Sequence, residues 1–306
     1  MRERVDAELE SDARRTLQPR VLVSVLAYNS PVTTIATLLS LSRQTHQNYH
    51  LLLVDNASDE TALQLVASEL PALDIRRLPE NTGYTGAANF ALDIARREGY
   101  ECLLIATHDV EVDPRALEYL VETAARQADA GVVGGVEFNP RTGLARASGG
   151  GVYSLWFSRL AWRSAPQAEN VEESRDVFCV HGALLLFTQR AISSGVRMDE
   201  QLFMYFDEAD VGFQLKQKGL REIVDRRVIF KHTRGAEEFT PLIGRMMQRN
   251  RLRVVRRHGR WYHFLFYLFY STLLELPVKV FVRSLQGRGR FAMACIAGHL
   301  EGLRRS

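Results

Sequence analysis

Residues 21–27 read VLVSVLA, and residues 33–43 read TTIATLLSLSR. The first stretch is a short apolar run rich in β-branched residues, as in a buried strand, whereas Ile35, Leu38, Leu39 and Leu41 recur in the second at helical spacing. The alternation continues with strands predicted at His50–Asp55, Asp74–Leu78 and Cys102–Ala106, and helices at Asp59–Leu70, Thr85–Glu98 and Pro114–Ala128. Strands this apolar are buried on both faces, as in parallel sheets covered by helices. The sequence therefore predicts an α/β fold with a mostly parallel, Rossmann-like central sheet.

The pattern is less regular beyond residue 130. We predict strands at Gly131–Val136, Leu144–Tyr153 and Val177–Phe187, a surface loop at Arg163–Asp176, a helix at Glu208–Lys218, a strand near Val228–Phe230 and a long helix at Phe239–Arg257. We accordingly divide the chain into an N-terminal extension (1–20), an α/β domain (21–259) and an apolar, basic helical tail (260–306).

Composition narrows the class of protein. The 306 residues are 46% apolar, which is enough for a sizeable core. Cys102, Cys179 and Cys295 lie far apart without Cys-x-x-Cys spacing, so the sequence predicts neither a disulfide framework nor a zinc site. Residues 1–20 lack the apolar segment of a secretory signal. These features favour a cytoplasmic protein.

The net charge of +3 is unevenly distributed. Residues 241–306 contain 13 Lys and Arg against two Glu, a net charge of +11, which leaves −8 for the rest. Six arginines, from Arg249 to Arg260, precede the uncharged stretch WYHFLFYLFYSTLL at 261–274, which Glu275 and Pro277 then interrupt. Arginines beside aromatic residues favour an interfacial helix on an anionic membrane surface. An oligomer interface and a true membrane span are the alternatives.

Polar residues and glycines follow the predicted strands at the edge where parallel sheets bind ligands. They are Ala27, Tyr28 and Asn29 after the first strand, Asp55 after the second, the loop with Asn81, Gly83 and Asn89 after the third, and His108, Asp109 and Glu111 after the fourth. Asp55 could bind a nucleotide or act as a helix cap. The glycine loop could hold a diphosphate at a helix N-terminus or form a plain turn, and it matches neither G-x-G-x-x-G nor a P-loop.

Two acidic clusters suggest a cation and a base. Asp109 and Glu111 offer oxygen ligands to Mn²⁺ or Mg²⁺, although they could be a solvated loop pair. Asp207, Glu208 and Asp210 follow the aromatic stretch at 203–206. Acids beside apolar residues favour a bound cation or a raised pKa, while an acidic helix N-terminus is the alternative.

Taken together, these motifs resemble the family 2 glycosyltransferases, especially their bacterial rhamnosyltransferase-like branch, over about Val21 to Gly259. In chain order the matching pieces are VLAYN, LLLVDNASDET, ENTGYTGAANFAL, THDVEVDPRAL, VHGALLLFTQRAI, MDEQLFMYFDEADVGFQLKQKG, VIFKH and RNRLRVVRRHG. The resemblance implies the GT-A fold and a metal-dependent transfer of sugar.

The resemblance also implies roles for individual residues. Asp55 contacts the nucleotide, Asp109 belongs to a D-x-D-like metal motif, and the cluster around Glu208 supplies the catalytic base, with Asp207 as the alternative because relatives often show Glu-Asp here. Glu111 is the second metal ligand, and His232 either reaches the metal or is structural. On the acceptor side we place four residues, with core packing or a strand bulge as alternatives: His181, Gly182, Trp156 and Asp210.

The expected reaction is inverting transfer from a nucleotide sugar, dTDP- or UDP-linked, to a hydroxyl of a glycan or polyprenyl-linked acceptor in cell-surface polysaccharide assembly. The expected location is the inner face of the cell membrane, with a possible homo-oligomer through the tail and no nucleic-acid partner. A sugar nucleotidyltransferase is the enzyme alternative, but residues 21–34 lack the basic residues it would need for phosphate. A basic membrane or nucleic-acid adaptor is the non-enzyme alternative.

Overall fold

The computed structural model describes residues 18–139, 144–146, 150–162, 173–232 and 240–304. Most of the predicted N-terminal extension, residues 163–172 of the predicted surface loop, and Phe239 lie outside the described residues. The described part contains a ten-stranded sheet, a two-stranded hairpin and helices on both faces of the sheet. The strands are β1 Val21–Ala27, β2 Tyr49–Asp55, β3 Asp74–Arg77, β4 Cys102–Thr107, β5 Val110–Val112, β6 Ala130–Asn139, β7 Leu144–Arg146, β8 Gly151–Ser154, β9 Arg159–Trp162, β10 Ser174–Val177, β11 Leu184–Thr188 and β12 Arg221–His232.

The first half of the sheet is parallel, as predicted. Strand β1 lies between β2 and β4 and is buried along its whole length, and β3 extends the sheet beyond β2. Ala27 stands level with Asp55 in the register of β1 and β2. The loops that follow these strands therefore meet at one edge of the sheet, and the α/β prediction is confirmed.

The second half of the sheet is mixed. Strand β11 runs antiparallel between β4 and β6, whereas β12 runs parallel to β6. The short strand β5 pairs with the end of β12, so that Val110 stands opposite His232. This pairing brings the predicted metal motif beside the predicted histidine.

Two of the predicted strands are wrong in extent. The stretch 144–153 contributes β7 to the main sheet and β8 to the separate hairpin with β9. The stretch 177–187 is also divided, because a turn at Gly182 and Ala183 separates β11 from the edge strand β10. Apolar composition alone does not reveal where a strand changes sheets, which is why both were predicted as continuous.

The helices agree with the predicted positions to within a few residues. They are α1 Pro31–Leu41, α2 Glu60–Glu69, α3 Gly83–Arg97, α4 Ala116–Arg126, α5 Gln189–Ser193, α6 Asp207–Gln217, α7 Pro241–His258, α8 Trp261–Tyr270, α9 Leu276–Leu285 and α10 Gly289–Leu303, with a short 3₁₀ helix at Glu200–Leu202. Two apolar layers, one on each face of the sheet, form the core. All three cysteines are buried and free.

The tail is more continuously helical than expected. A π-helical turn, Ser271–Glu275, joins α8 to α9, so the helix continues from Trp261 to Leu285 despite Pro277. The wider turn immediately before the proline accommodates the missing backbone N–H. Glu275 and Pro277 therefore interrupt the uncharged run of the sequence but not the helix.

Candidate active site

Two loops at the edge of the parallel strands are bound to each other. The Asn29 backbone N–H donates to Ser58 Oγ at 3.0 Å, and Asn29 Oδ1 accepts from the Asp59 N–H at 2.7 Å. Asn29 has a φ of 49°, a left-handed conformation that Asn tolerates better than most residues. The neighbouring Tyr28 is exposed, whereas Ala27 is buried. The exposed Tyr28 side chain therefore lies at the edge of the sheet where these two loops meet.

Asp55 is buried at the end of β2. Its carboxylate accepts from the Ser58 N–H at 3.3 Å, and Arg77 Nε lies 3.4 Å from its Oδ2. The residue at the N-cap of α2 is Asp59 rather than Asp55. The alternative in which Asp55 is an ordinary helix cap is therefore excluded.

The glycine loop before α3 is held from both sides. The Asn56 amide donates to Asn81 Oδ1 and to the Gly83 carbonyl, both at 3.0 Å. Gly83 has a φ of +71°, and a Cβ there would lie 2.3 Å from the Phe203 carbonyl oxygen. A side chain at this position is sterically excluded, so the glycine allows the loop to pack against the segment that precedes α6.

A cluster of four ionisable side chains lies where β5, β6 and β12 meet. His232 Nε2 is 3.1 Å from Asp109 Oδ2, and His232 Nδ1 is 3.3 Å from Glu137 Oε1. His181 Nε2 is 3.5 Å from the other oxygen of Glu137. Thr107 Oγ1 donates to Asp109 Oδ1 at 2.7 Å. We call Asp109, Glu137, His181 and His232 the histidine–carboxylate cluster.

The cluster alters the protonation of its members. Burial disfavours the charged imidazole of His232, but the hydrogen bonds and charges of Asp109 and Glu137 outweigh it and raise its pKa to about 8. Burial opposes ionisation of Asp109 as well, yet the His232 hydrogen bond and the nearby imidazoles lower its pKa. Burial lowers the pKa of His108, whose ring is hydrogen-bonded at Leu26 near the end of β1. Two carboxylates thus share one readily protonated histidine.

The donor set of this cluster fits a divalent cation. Ligand atoms of Glu137, His181 and His232 all lie within 4.8 Å of one another. Imidazole nitrogens together with carboxylate oxygens suit Mn²⁺ and similar ions, and a cation can replace the proton that the cluster otherwise holds. Glu111 is exposed and stands opposite Lys231 in the pairing of β5 with β12, outside this group of three. Glu137 was missed because a single acid in a strand gives no motif; its signal was a charge within an otherwise apolar run.

The two candidate bases differ in exposure. Asp207 is 4% exposed, and burial together with the charge of Glu208 raises its pKa well above the usual range. Glu208 is half-buried at the start of α6. Of the two candidate bases, Glu208 is therefore the one that a ligand can reach more readily.

Gly182 lies between Glu208 and the histidine–carboxylate cluster. A Cβ at Gly182 would lie 2.9 Å from Glu208 Oε1, and the Tyr84 hydroxyl donates to the Gly182 carbonyl at 2.6 Å. His181, the preceding residue, belongs to the histidine–carboxylate cluster, and the Trp162 ring lies 5.2 Å from its ring. His181 and Gly182 therefore form one wall shared by the cluster and by Glu208.

Three predicted site residues make packing contacts instead. The buried Asn89 amide donates to the Met198 carbonyl and accepts from its N–H, both at 2.9 Å. Asp210 is fully buried and lies 2.7 Å from His258 Nε2, which ties α6 to α7. Trp156, at the tip of the β8–β9 hairpin, packs on Tyr262, His263 and Phe266 of α8. Asn89 and Asp210 are thus buried and engaged within the protein, whereas Trp156 is 44% exposed and its place on the acceptor side stays a prediction.

Solved structures share this fold. Two of them are GalNAc-T7 with UDP, GalNAc and Mn²⁺ (TM-score 0.65, 15% identity, 94% of this chain and 58% of that one) and the mannosyltransferase PcManGT from Pyrobaculum calidifontis with GDP-Man and Mn²⁺ (TM-score 0.56, 16% identity, 94% of this chain and 88% of that one). S. aureus TarS 1–349 also matches (0.56, 15%, 90% and 81%). At these identities the likeness establishes the fold, and the GT-A prediction is confirmed.

Sequence relatives define the family. Two Mycobacterium tuberculosis proteins (strains CDC 1551 / Oshkosh and H37Rv), each an N-acetylglucosaminyl-diphospho-decaprenol L-rhamnosyltransferase, are 28% identical over 203 residues. The match covers 60% of this chain and 66% of those proteins, just under two thirds of their length. The family model for glycosyl transferase family 2 matches residues 23–192, more than half of the chain. The chain therefore belongs to glycosyl transferase family 2.

Proposed function

We propose that this protein is an inverting glycosyltransferase that moves a sugar from a nucleoside diphosphate to a hydroxyl of a lipid-linked glycan acceptor. The observation that carries the proposal is the shared wall at His181 and Gly182, which places the histidine–carboxylate cluster next to Glu208. A cation for a diphosphate and a base for a hydroxyl are the two groups that such a displacement needs. Family membership removes the main support for the nucleotidyltransferase and adaptor alternatives.

The histidine–carboxylate cluster is the proposed metal centre. Asp109 and His232 would hold the cation, with Glu137 and His181 as further ligands or as hydrogen-bond partners that orient them. Bound Mn²⁺ would supply electrostatic stabilisation of the leaving diphosphate. We favour Mn²⁺ over Mg²⁺ because two of the four side chains are imidazoles, whereas Mg²⁺ prefers oxygen ligands and water.

Glu208 is the proposed base. The oxygen of the acceptor hydroxyl forms a bond with the anomeric carbon while the bond from that carbon to the diphosphate oxygen breaks, and the hydroxyl proton passes to the Glu208 carboxylate. A single displacement of this kind inverts the anomeric configuration. Tyr84 fixes the Gly182 carbonyl, which keeps the surface beside Glu208 in place.

The substrates are proposed from the relatives and the site together. The mycobacterial relatives are named for transfer of L-rhamnose to N-acetylglucosaminyl-diphospho-decaprenol, which favours a dTDP- or UDP-linked donor and a polyprenyl diphosphate acceptor here. Asp55 and Tyr28 would face the nucleoside, and the glycine loop would approach the diphosphate near the start of α3.

The tail is the proposed membrane contact. Trp261–Leu285 is long and apolar enough to cross a membrane, and only 17% of its most apolar window is buried. Two of its residues are nevertheless bonded to α7 in the body of the protein, Glu275 to Arg251 and Lys279 to Gln248. A third, Thr272, is bonded to His299 of α10 within the tail. A helix fixed at successive turns cannot leave the body to span a bilayer, so we propose that it lies flat in the interface of the cytoplasmic leaflet.

The experiment is a transfer assay with purified full-length protein. UDP-, GDP- and dTDP-sugars are each incubated with Mn²⁺ and a short-chain lipid diphosphate N-acetylglucosamine acceptor, with release of nucleoside diphosphate and product mass as readouts. The proposal expects a glycosylated lipid from one donor, with inverted anomeric configuration by NMR and loss of product in chelator. Retention of configuration, or nucleotide release with no dependence on the acceptor or on metal, would overturn it.

A further inference from the structure

A strained segment leads into the candidate base. Phe203, Tyr205 and Phe206 have φ values of 66°, 69° and 66°, in the left-handed region that bulky residues rarely adopt. Phe206 is the N-cap of α6, so this conformation immediately precedes Asp207 and Glu208. Such strain persists only where surrounding contacts hold it, and it concentrates at functional sites.

Asn250 in α7 holds this segment. Its buried Nδ2 lies 2.9 Å from the Leu202 carbonyl oxygen, 2.8 Å from that of Met204 and 3.0 Å from that of Tyr205. Arg249 Nε donates to Asn250 Oδ1 at 2.9 Å, which fixes the orientation of the amide. One side-chain nitrogen thus contacts three backbone carbonyl oxygens within residues 202–205, at the start of the strained segment.

The opposite side of the segment contacts the glycine loop. The Thr85 N–H donates to the Phe203 carbonyl at 3.1 Å, and that same oxygen leaves no space for a Cβ at Gly83. The segment is therefore held between α7 and the start of α3. Its geometry fixes where α6 begins, and hence where Glu208 meets Gly182.

We infer that Asn250 is a positioning residue for the reaction, which sets the position of Glu208 through the strained segment without touching substrate. This inference rests on the proposed role of Glu208. It adds a residue outside the donor and acceptor surfaces whose loss should slow the chemical step. Donor binding should change little, because the Asn250 side chain bonds to Arg249 and to the carbonyls of residues 202–205 rather than to the histidine–carboxylate cluster.

The test compares N250A with Q248A in the full chain. Gln248 is an equally buried amide on α7 that faces the tail, where it accepts from Lys279 Nζ at 2.9 Å. Q248A therefore controls for loss of a buried polar group from the same helix. Arg249 is partly exposed, and its guanidinium donates to the Leu202 carbonyl at 2.8 Å. R249A therefore replaces N250A if N250A does not fold.

We expect N250A to lower kcat by about 10- to 100-fold, the loss typical of a misplaced catalytic group, with the donor KM close to that of wild type. A double-mutant cycle with E208Q provides a readout that general destabilisation would not move. If Asn250 acts through Glu208, the N250A/E208Q variant is no slower than E208Q alone. Losses that multiply in the double variant, or a folded N250A with the kcat of Q248A, would overturn the inference.

Failure of the proposed function is distinguishable from failure of this inference. If wild type transfers no sugar, the proposed function fails, and hydrogen exchange then decides the inference. N250A should accelerate amide exchange at residues 203–208, whereas Q248A should not. Equal exchange in the two variants would contradict the hold that Asn250 exerts on the segment.

Discussion

Gly182 leaves the space that the Glu208 carboxylate occupies: a Cβ at position 182 would stand 2.9 Å from Glu208 Oε1. An alanine there must push the carboxylate aside, while the backbone of Gly182 lies outside the left-handed region and tolerates a side chain. We expect G182A to fold and to lose about 10- to 100-fold in kcat, because small displacements of a catalytic group have effects of this size. Steady-state transfer kinetics with thermal unfolding check this.

G289A is the control for that substitution. Gly289 has open space within 4 Å of its Cβ position, so an added methyl group meets nothing. Its kcat should equal that of wild type. If G182A and G289A are equally active, the contact between Gly182 and Glu208 has no catalytic importance.

The two adjacent acids should respond differently to amide substitution. E208Q removes the proposed base and should lower kcat by roughly 10²- to 10⁴-fold. D207N should retain most activity, because Asp207 is buried, and burial together with the charge of Glu208 raises its pKa and so opposes the ionisation that a base needs. The opposite order of activities in the same assay would assign the base to Asp207.

Stability against pH tests the protonation of Asp207 separately. Its pKa in the folded protein is raised by burial above the unfolded value of 3.8, so the folded state binds more protons above about pH 4. Asp207 therefore lowers stability progressively as pH rises from the unfolded towards the folded pKa. The melting temperature of D207N relative to wild type should increase from pH 4 to pH 8. A constant difference would mean that Asp207 is ionised in the native state.

The sequence predicts the parallel half of this fold well and the rest less well. Strands β1, β2 and β4 are continuous apolar runs, so their positions, and those of the polar residues that follow them, can be read directly. The site is completed by Glu137 and by the turn at Gly182, which depend on how β6, β11 and β12 are ordered in the sheet. Sheet order involves contacts distant in sequence, and apolar periodicity carries no information about them. Asn89 and Asp210 show the opposite error. They belong to motifs that match the family, yet their buried side chains bond to other parts of the protein.

Comparison of E137Q with E111Q tests which acid supports the metal. Glu137 contacts both histidines of the cluster, whereas Glu111 is exposed. We expect E137Q to weaken Mn²⁺ binding by about 10- to 100-fold, the usual cost of removing a group that orients metal ligands. E111Q should bind as wild type does. Mn²⁺-dependent thermal stabilisation, with a donor nucleotide present, measures both affinities. The reverse order would restore Glu111 as the ligand that the sequence motif suggests.

Membrane attachment should depend on the outward aromatic side chains of the tail. Phe269 and Phe281 are 63% and 64% exposed on the helix that we propose lies in the interface. Burying a phenylalanine in an apolar phase is worth about 1.5–3 kcal/mol, so F269S/F281S should weaken binding to anionic vesicles by about 100-fold or more. V32S, at an exposed valine of α1, is the matched control and should bind as wild type does.

Vesicle extraction and sedimentation distinguish the three possible arrangements of the tail: an interfacial helix, a membrane-spanning helix and an oligomer interface. A helix lying in the interface is released from vesicles by alkaline carbonate, whereas a spanning helix stays with the lipid. If the tail is an oligomer interface, F269S/F281S should sediment as a smaller species than wild type and should bind vesicles as wild type does. The inward bonds of Glu275 and Lys279 favour the first result, because a spanning helix would have to break both and carry their charges into the hydrocarbon core.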